Sequence, residues 1–491
     1  MFHRLVLMAC LLWMISTSAS SDEVVVRRIE ISGNTRTETR VIQREVLFVP
    51  GDTLSVSIIE ETERNLRALL FLGDVSVRVE KQDGFADIHI CVTDLYARAI
   101  TPLLSGELDE LSYGAVGLDY NFLGRGQIVE VTAEHDAVTG NRGRAFYREP
   151  RLGGSRVRLD LDGEIASEGH RALLRFARPF YQLSEYWSAG ATAFSEASIT
   201  RLYSGQTLAE KYTVNERGGS ASVSRSFGDG FKIRPGFFVS LVDRRADPES
   251  GYAYAPNDRR RVLASAGLTL WRPRYEKVRF VRQLGRVEDM QTGSWADVRA
   301  GISAEAIGSD RDYRFMTVDL NPRFKPGQHA YLLTRFTLRS RFSEGRAWNV
   351  FGSAEGKLLA KVRNVHAVAL RVRYDGLGRT EDATQYLLGP ARGLRGYSLR
   401  RFDGSRRFLF NAEVRPTLVQ KRDFTLAGAL FVDGGSAWTP GKTNRVLAMS
   451  AGAGGRVGMN RVYNSPVLRA DVAYGFEDRS WAVYVGLGQY F

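Results

Sequence analysis

The chain is poor in the residues that would make it a disulfide scaffold, a metal protein or a helical membrane protein. It has two cysteines, Cys10 and Cys91, in 491 residues. Cys10 falls in the N-terminal apolar stretch and leaves Cys91 alone in the rest, which excludes an intrachain disulfide and a cysteine-based metal site. The histidines His89, His135, His170, His329 and His366 are scattered without ligand spacing. No run approaches eighteen consecutive apolar residues, so membrane-spanning helices are excluded. Lysine is scarce: nine of the 68 cationic side chains are lysine. The net charge of +13 is therefore carried by arginine, spread among apolar residues and carboxylates rather than gathered into a phosphate-tracking stripe. That dispersal points away from nucleic acid. No Ser nucleophile elbow is present, and no enzymatic activity is expected.

What is present begins with Arg4, an apolar run from Leu5 to Ile15, and the small residues Ser16-Thr17-Ser18-Ala19-Ser20. This is the layout of a secretory signal over residues 1–20. A small mixed domain is expected over residues 23–93, in the order strand, helix, helix, strand, strand. Val24 to Ile31 is β-rich. Thr35 with Glu38, and Ser57 with Glu60, have capping-box spacing. Val41, Ile42 and Val46, then Ile58, Thr62, Leu66, Leu69 and Leu70, recur on helical faces, and Val75–Val79 and Ala86–Val92 alternate as strands. Such a unit leaves an edge strand for an extended partner segment.

From residue 96 to residue 491 the helical period is absent. Val129, Val131 and Ala133 alternate with Glu130, Thr132 and Glu134, and Leu159 and Leu161 alternate with Asp160 and Asp162. Strand side chains alternate faces, so each segment has an apolar and a charged face. The region is too long and uniform for one sandwich core. Arginines recur with carboxylates on one face, as in a closed polar lumen, and closure removes exposed edges. The tally is about eighteen segments from Tyr113 onward, with one more near Arg98–Leu104.

One stretch breaks the alternation, Leu387-Leu388-Gly389-Pro390-Ala391-Arg392-Gly393-Leu394-Arg395-Gly396-Tyr397, within a loop over residues 376–405. By parity Ala427, Ala429, Phe431 and Asp433 share a lumenal face, with Leu426, Leu430 and Val432 on the other. Asp433 thus stands beside small residues that leave space for an inserted loop. An arginine fork binds a carboxylate in two parallel hydrogen bonds. Arg395 is therefore expected to latch to Asp433, with Glu413 sharing the guanidinium, while Gly393 and Gly396 allow close approach or positive φ. A phosphate-binding loop is the rival reading, but no downstream helix offers its N-terminus.

Ile29 to Thr35 and Asn65 to Val75 resemble a POTRA domain. Asn121-Phe122-Leu123-Gly124-Arg125-Gly126 resembles the turn that opens the barrel of the BamA/TamA superfamily of outer-membrane assembly proteins. Leu394-Arg395-Gly396-Tyr397 resembles that superfamily's loop motif, and Phe431-Val432-Asp433-Gly434-Gly435 its wall motif. Trp481 to Phe491, with Trp481, Val483, Val485, Leu487 and Phe491 on one face, resembles the C-terminal signal of barrel clients, although Gln489 stands where a second aromatic is usual.

The resemblance implies a mainly β protein, a transmembrane antiparallel barrel of about sixteen strands behind one small α+β POTRA domain; the tally runs to about 18–20. It implies location in the outer membrane of a Gram-negative-type bacterium with the POTRA in the periplasm. The implied partners are unfolded outer-membrane or secreted clients, outer-membrane lipid and accessory assembly proteins. No cofactor is implied. Clients would be captured by strand addition to the POTRA and inserted at the barrel seam. A two-partner secretion pore and a passive channel are the alternatives. The single POTRA departs from the several of well-known members, and it follows the signal directly, without a patatin-like lipase domain.

Overall fold

A computed structural model describes residues 24–106, 110–279, 284, 287–363, 366–442, 445–459 and 467–491. The expected signal, residues 1–20, lies outside the described residues. The chain divides into two compact units, Met1–Thr93 and Asp94–Phe491.

The first unit contains β1 (Val24–Ser32), α1 (Thr39–Gln43), β2 (Thr53–Leu54), α2 (Val56–Ala68), β3 (Leu72–Gln82) and β4 (Phe85–Asp94). Its sheet runs β2-β1-β4-β3, with β1 parallel to β4. Alternation places Ala86, Ile88 and Ile90 of β4 in the core with Val41, Ile42, Leu66 and Leu72. A register shift between Val26 and Arg28 changes which face β1 buries: Val24 and Val26 point inward before it, Ile29 and Ile31 after it.

Two caps differ from expectation. Helix α1 begins only at Thr39, because Asn34 Nδ2 donates to Thr37 O (2.9 Å) and Thr39 Oγ1 (3.1 Å) and holds the preceding residues in turns. Helix α2 starts earlier than Ser57. Ser55 is its N-cap, accepting from Ile58 N at 3.4 Å.

The second unit contains β5 (Arg98–Gly106), β6 (Leu111–Phe122), β7 (Gln127–Asp136), β8 (Gly140–Glu149), β9 (Arg158–Ala166), β10 (Gly169–Arg178) and β11 (Trp187–Ser204). There follow β12 (Thr207–Arg225), β13 (Lys232–Pro248), β14 (Arg259–Trp271), β15 (Trp295–Ser303), β16 (Tyr313–Asn321, continued as Arg323–Gly327) and β17 (Ala330–Ser343). The last are β18 (Arg346–Val362), β19 (His366–Gly378), β20 (Arg406–Arg415, continued as Thr417–Gln420), β21 (Phe424–Trp438), β22 (Ala448–Met459), β23 (Leu468–Gly475) and β24 (Ser480–Leu487). They pair antiparallel in sequence order and close into a barrel. The interruptions in β16 and β20 fall at Pro322 and Pro416, which have no N–H to donate.

The described barrel therefore has twenty strands, the top of the sequence tally and more than the resemblance implied. The short hairpin β8–β9, for example, pairs Arg142–Glu149 with Leu159–Ala166 rather than merging into a loop. The aliphatic face is outside and the charged face inside. Ile165 is 78% exposed on the outer wall, whereas Asp160 on the same strand is 2% exposed. No described helix is long and apolar enough to cross a membrane.

Closure is uneven. Strand β5 forms nine residue pairs with β6, and β24 forms eight with β23. Among the described residues, β24 and β5 share one, Val485↔Gly106.

Candidate functional site: a loop latched inside the barrel

The loop after β19, residues 379–405, enters the lumen because glycines on both sides remove steric obstacles. Gly393 has φ +115°, and a Cβ there would lie 2.4 Å from Leu409 Cδ2. Gly396 has φ +88° and meets Gly475 backbone to backbone: a Cβ on Gly475 would fall 2.1 Å from Gly396 O. A short ribbon, Tyr386–Leu388 with Phe402–Gly404, gives the loop internal structure. Leu388, Leu394 and Tyr397 then pack with Leu409, Ala437 and Ala448 of the wall. Gly435 leaves the gap that Leu388 fills.

That apolar contact seats Arg395, whose side chain is fully buried. Its Nε donates to Asp433 Oδ2 at 2.7 Å and a terminal nitrogen donates to Asp433 Oδ1 at 3.0 Å, the expected fork. Its other terminal nitrogen reaches Glu413 at 3.2 Å and Asp471 at 3.3 Å. The guanidinium is also held face-on between two rings, 3.3 Å from the Phe431 centroid and 3.9 Å from that of Tyr490. Asn411 Nδ2 bridges Asp433 Oδ1 (2.8 Å) and Gly393 O (2.7 Å), joining loop backbone to the latch. Tyr397 Oη donates to Met449 O at 2.5 Å.

Around this pair lies a network that the sequence motifs did not announce. Glu413 also accepts from Arg415 (2.9 Å) and Arg456 (3.2 Å), and Asp471 from Arg456 (2.5 Å) and Arg469 (3.4 Å). Four arginines thus share three carboxylates in a largely dry site. Low dielectric makes each ion costly to bury and each pair strong, so removing one partner strands the others. Asp471 and Arg456 have a signal only in hindsight: each takes the lumenal parity of its strand.

The C-terminus departs from expectation. Strand β24 ends at Leu487, Gly488 takes φ +82°, and the tail turns inward instead of continuing the wall. Tyr490 stacks on Arg395 and donates from Oη to Pro390 O at 2.7 Å. Phe491, expected on one face with Trp481, Val483, Val485 and Leu487, packs against the cluster of Val278, Met290, Tyr331, Leu333, Leu359 and Ala369, and its carbonyl accepts from Arg415 at 3.3 Å. Parity failed there because it carries only as far as the strand does.

Of the remaining motif residues, Asn121, Gly124 and Gly126 form the β6–β7 turn rather than part of the latch. Asn121 Oδ1 accepts from Gly126 N at 2.7 Å, and Gly124 and Gly126 have φ +76° and +70°. The loop has a second anchor on the far wall. Asp382 takes hydrogen bonds from Arg244 (3.0 Å) and Arg259 (2.8 Å), and Glu381 pairs with Arg259 (2.8 Å) and Arg341 (3.5 Å).

Residues 121–491 match the Omp85 superfamily domain, and residues 24–94 match a POTRA family described as surface antigen variable number repeat. The outer membrane protein assembly factor BamA of Neorickettsia risticii (strain Illinois) is 26% identical over 469 residues, covering 92% of this chain and 53% of that protein. The chain therefore spans about half the length of that curated relative. BamA from Haemophilus ducreyi lacking POTRA domains 1-3 aligns at 14% identity over 95% of this chain and 85% of that one, with a TM-score of 0.44. CdiB from Escherichia coli aligns at 10% identity over 95% and 77%, with a TM-score of 0.49. With the superfamily domain matching most of its length, the chain belongs to the Omp85 superfamily.

Proposed function

We propose that this chain is an outer-membrane barrel that inserts or translocates unfolded client proteins, with no bond-making or bond-breaking chemistry of its own. The observation that carries the reading is a buried latch next to a weak seam. Arg395 ties the loop to β20, β21 and β23, while β24 and β5 share a single described residue pair. A closed barrel with one poorly paired junction has one place where an added strand costs few native hydrogen bonds. The loop occupies the lumen and touches opposite walls, which favours an assembly or translocation role over a passive open channel.

In this reading the first unit faces the periplasm and receives an extended client segment by strand addition. Strand β3, at the sheet edge and eleven residues long, has the length to do so. The client then pairs at the seam while the latch keeps the C-terminal wall in one geometry. Its partners are client polypeptides, the lipid around the barrel and accessory assembly proteins. The test is depletion of the protein followed by a census of outer-membrane and secreted proteins. Loss of many integral barrels is expected. Loss of one exported protein alone would make it a dedicated translocation pore, and an unchanged census would contradict both.

A further inference from the structure

Two consecutive loop residues reach the two sides of the seam. Arg401 makes a fork with Asp478, in the turn between β23 and β24, at 2.9 and 3.0 Å. A terminal nitrogen of Arg400 donates to both carboxylate oxygens of Glu110, in the connection between β5 and β6, at 2.7 Å each. Arg400 also lies 5.0 Å from the Tyr203 ring. The two pairs therefore span the junction at the rim where the loop enters.

The two sides are not held alike. Toward β21–β24 the loop is bound by the Arg395 network and by Tyr484 Oη, which donates to Tyr397 O at 2.6 Å. The Gly396–Gly475 backbone contact adds to this. Beneath the loop a cavity of about 1050 Å³ reaches both sides of the seam, lined by Leu103 and Val116 of the first hairpin, Val485 and Leu487 of β24, and Pro390 and Leu399 of the loop. Arg400–Glu110 is partly solvated, with side chains 23% and 37% exposed, so it is weak enough to release and open to screening by salt.

We propose that Arg400 and Glu110 are positioning residues that form the catch of the seam. The loop moves with the C-terminal wall, and Arg400 holds the first hairpin against it until the pair is broken. The inference rests on the seam being the working junction of the barrel, but it is a statement about the free protein and needs no client.

The test uses spin labels at Ser105→Cys on β5 and Ser480→Cys on β24, both exposed, in a Cys10→Ser, Cys91→Ser background of the full chain in lipid bilayers. The wild type should give mainly one short distance at low salt, with a longer population growing as salt is added. Arg400→Gln and Glu110→Gln should each show the longer population at low salt and lose most of the salt response. The exchange Arg400→Glu with Glu110→Arg should restore the short distance and the salt response, which a general loosening of the fold would not do. Identical distance distributions in wild type and single variants, or an exchange that restores nothing, would overturn the proposal. If the single variants open the seam yet assemble clients at the wild-type rate, the catch stands and the insertion reading falls.

Discussion

Of the arginine–carboxylate contacts that hold the lumenal loop, the cluster at Arg395 and the cluster at Glu381 and Asp382 differ chiefly in their solvent. At the inner anchor Arg395, Asp433, Glu413 and Asp471 have fully buried side chains. At the outer anchor Arg244, Arg259, Glu381 and Asp382 keep 11–25% of theirs exposed, and further arginines, Arg341 among them, stand close enough to substitute for a lost one. Water discounts the outer pairs and redundancy protects them. At the inner anchor water is excluded, and although Glu413 and Asp471 each have further arginines, Asp433 is held by the fork of Arg395.

The largest effect is expected at the inner anchor. Arg395→Ala takes the arginine fork from the buried Asp433, while Glu413 and Asp471 keep Arg415, Arg456 and Arg469, and should destabilise the docked loop by about 3–5 kcal/mol. Limited proteolysis should then cut within residues 379–405 while the barrel stays closed. Arg395→Lys should recover only part of this, because an ammonium cannot make the fork. A smaller loss is expected from Gly396→Val. A side chain at φ +88° is strained and would meet Gly475 N and Ser450 Cβ at 2.9 Å. The strain should lower thermal stability by about 1–3 kcal/mol, read as the unfolding midpoint.

Tyr490→Leu removes one face of the cation–π stack and the hydrogen bond to Pro390 O, for about 1–2 kcal/mol by the same measurement. At the outer anchor Asp382→Asn should change stability by less than about 1 kcal/mol. An effect there as large as that of Arg395→Ala would erase the contrast between the anchors.

The smallest effect lies outside the barrel. The fork from Arg27 to Asp87, at 2.8 and 2.6 Å, holds the Asp87 carboxyl below its ordinary range. Its contribution is therefore present above the ordinary carboxylate range and lost as pH falls through the lowered value. Asp87→Asn should remove that acid-side dependence from the unfolding of the first unit, followed by circular dichroism against pH.

The fold and the inner pair were legible because a strand repeats every two residues. Parity alone put Phe431 and Asp433 on the lumenal face beside Ala427 and Ala429, and glycine at 393 and 396 announced a close approach. What was hidden depends on pairing register between strands far apart in sequence. Arg456, Asp471 and Asn411 meet Arg395 or its partners only once the barrel has closed with a given stagger. The inward turn of Tyr490 and Phe491 was invisible because one positive φ, at Gly488, ends the parity that the rest of β24 obeys. The misplaced caps at Thr35 and Ser57 show a local limit of the same kind: Asn34 Nδ2 donates to Thr37 O and Ser55 Oγ accepts from Ile58 N, and capping-box spacing announces neither contact.

The central claim is that the buried latch keeps the barrel in its working state. It is tested most directly by the rate at which the full chain, reconstituted in vesicles, folds an unfolded outer-membrane client. Arg395→Ala should lower that rate about tenfold or more, which corresponds to a barrier change of roughly 1.4 kcal/mol, while the variant remains a closed, inserted barrel. Wild-type rates from a variant whose loop is shown by proteolysis to be released would contradict the account.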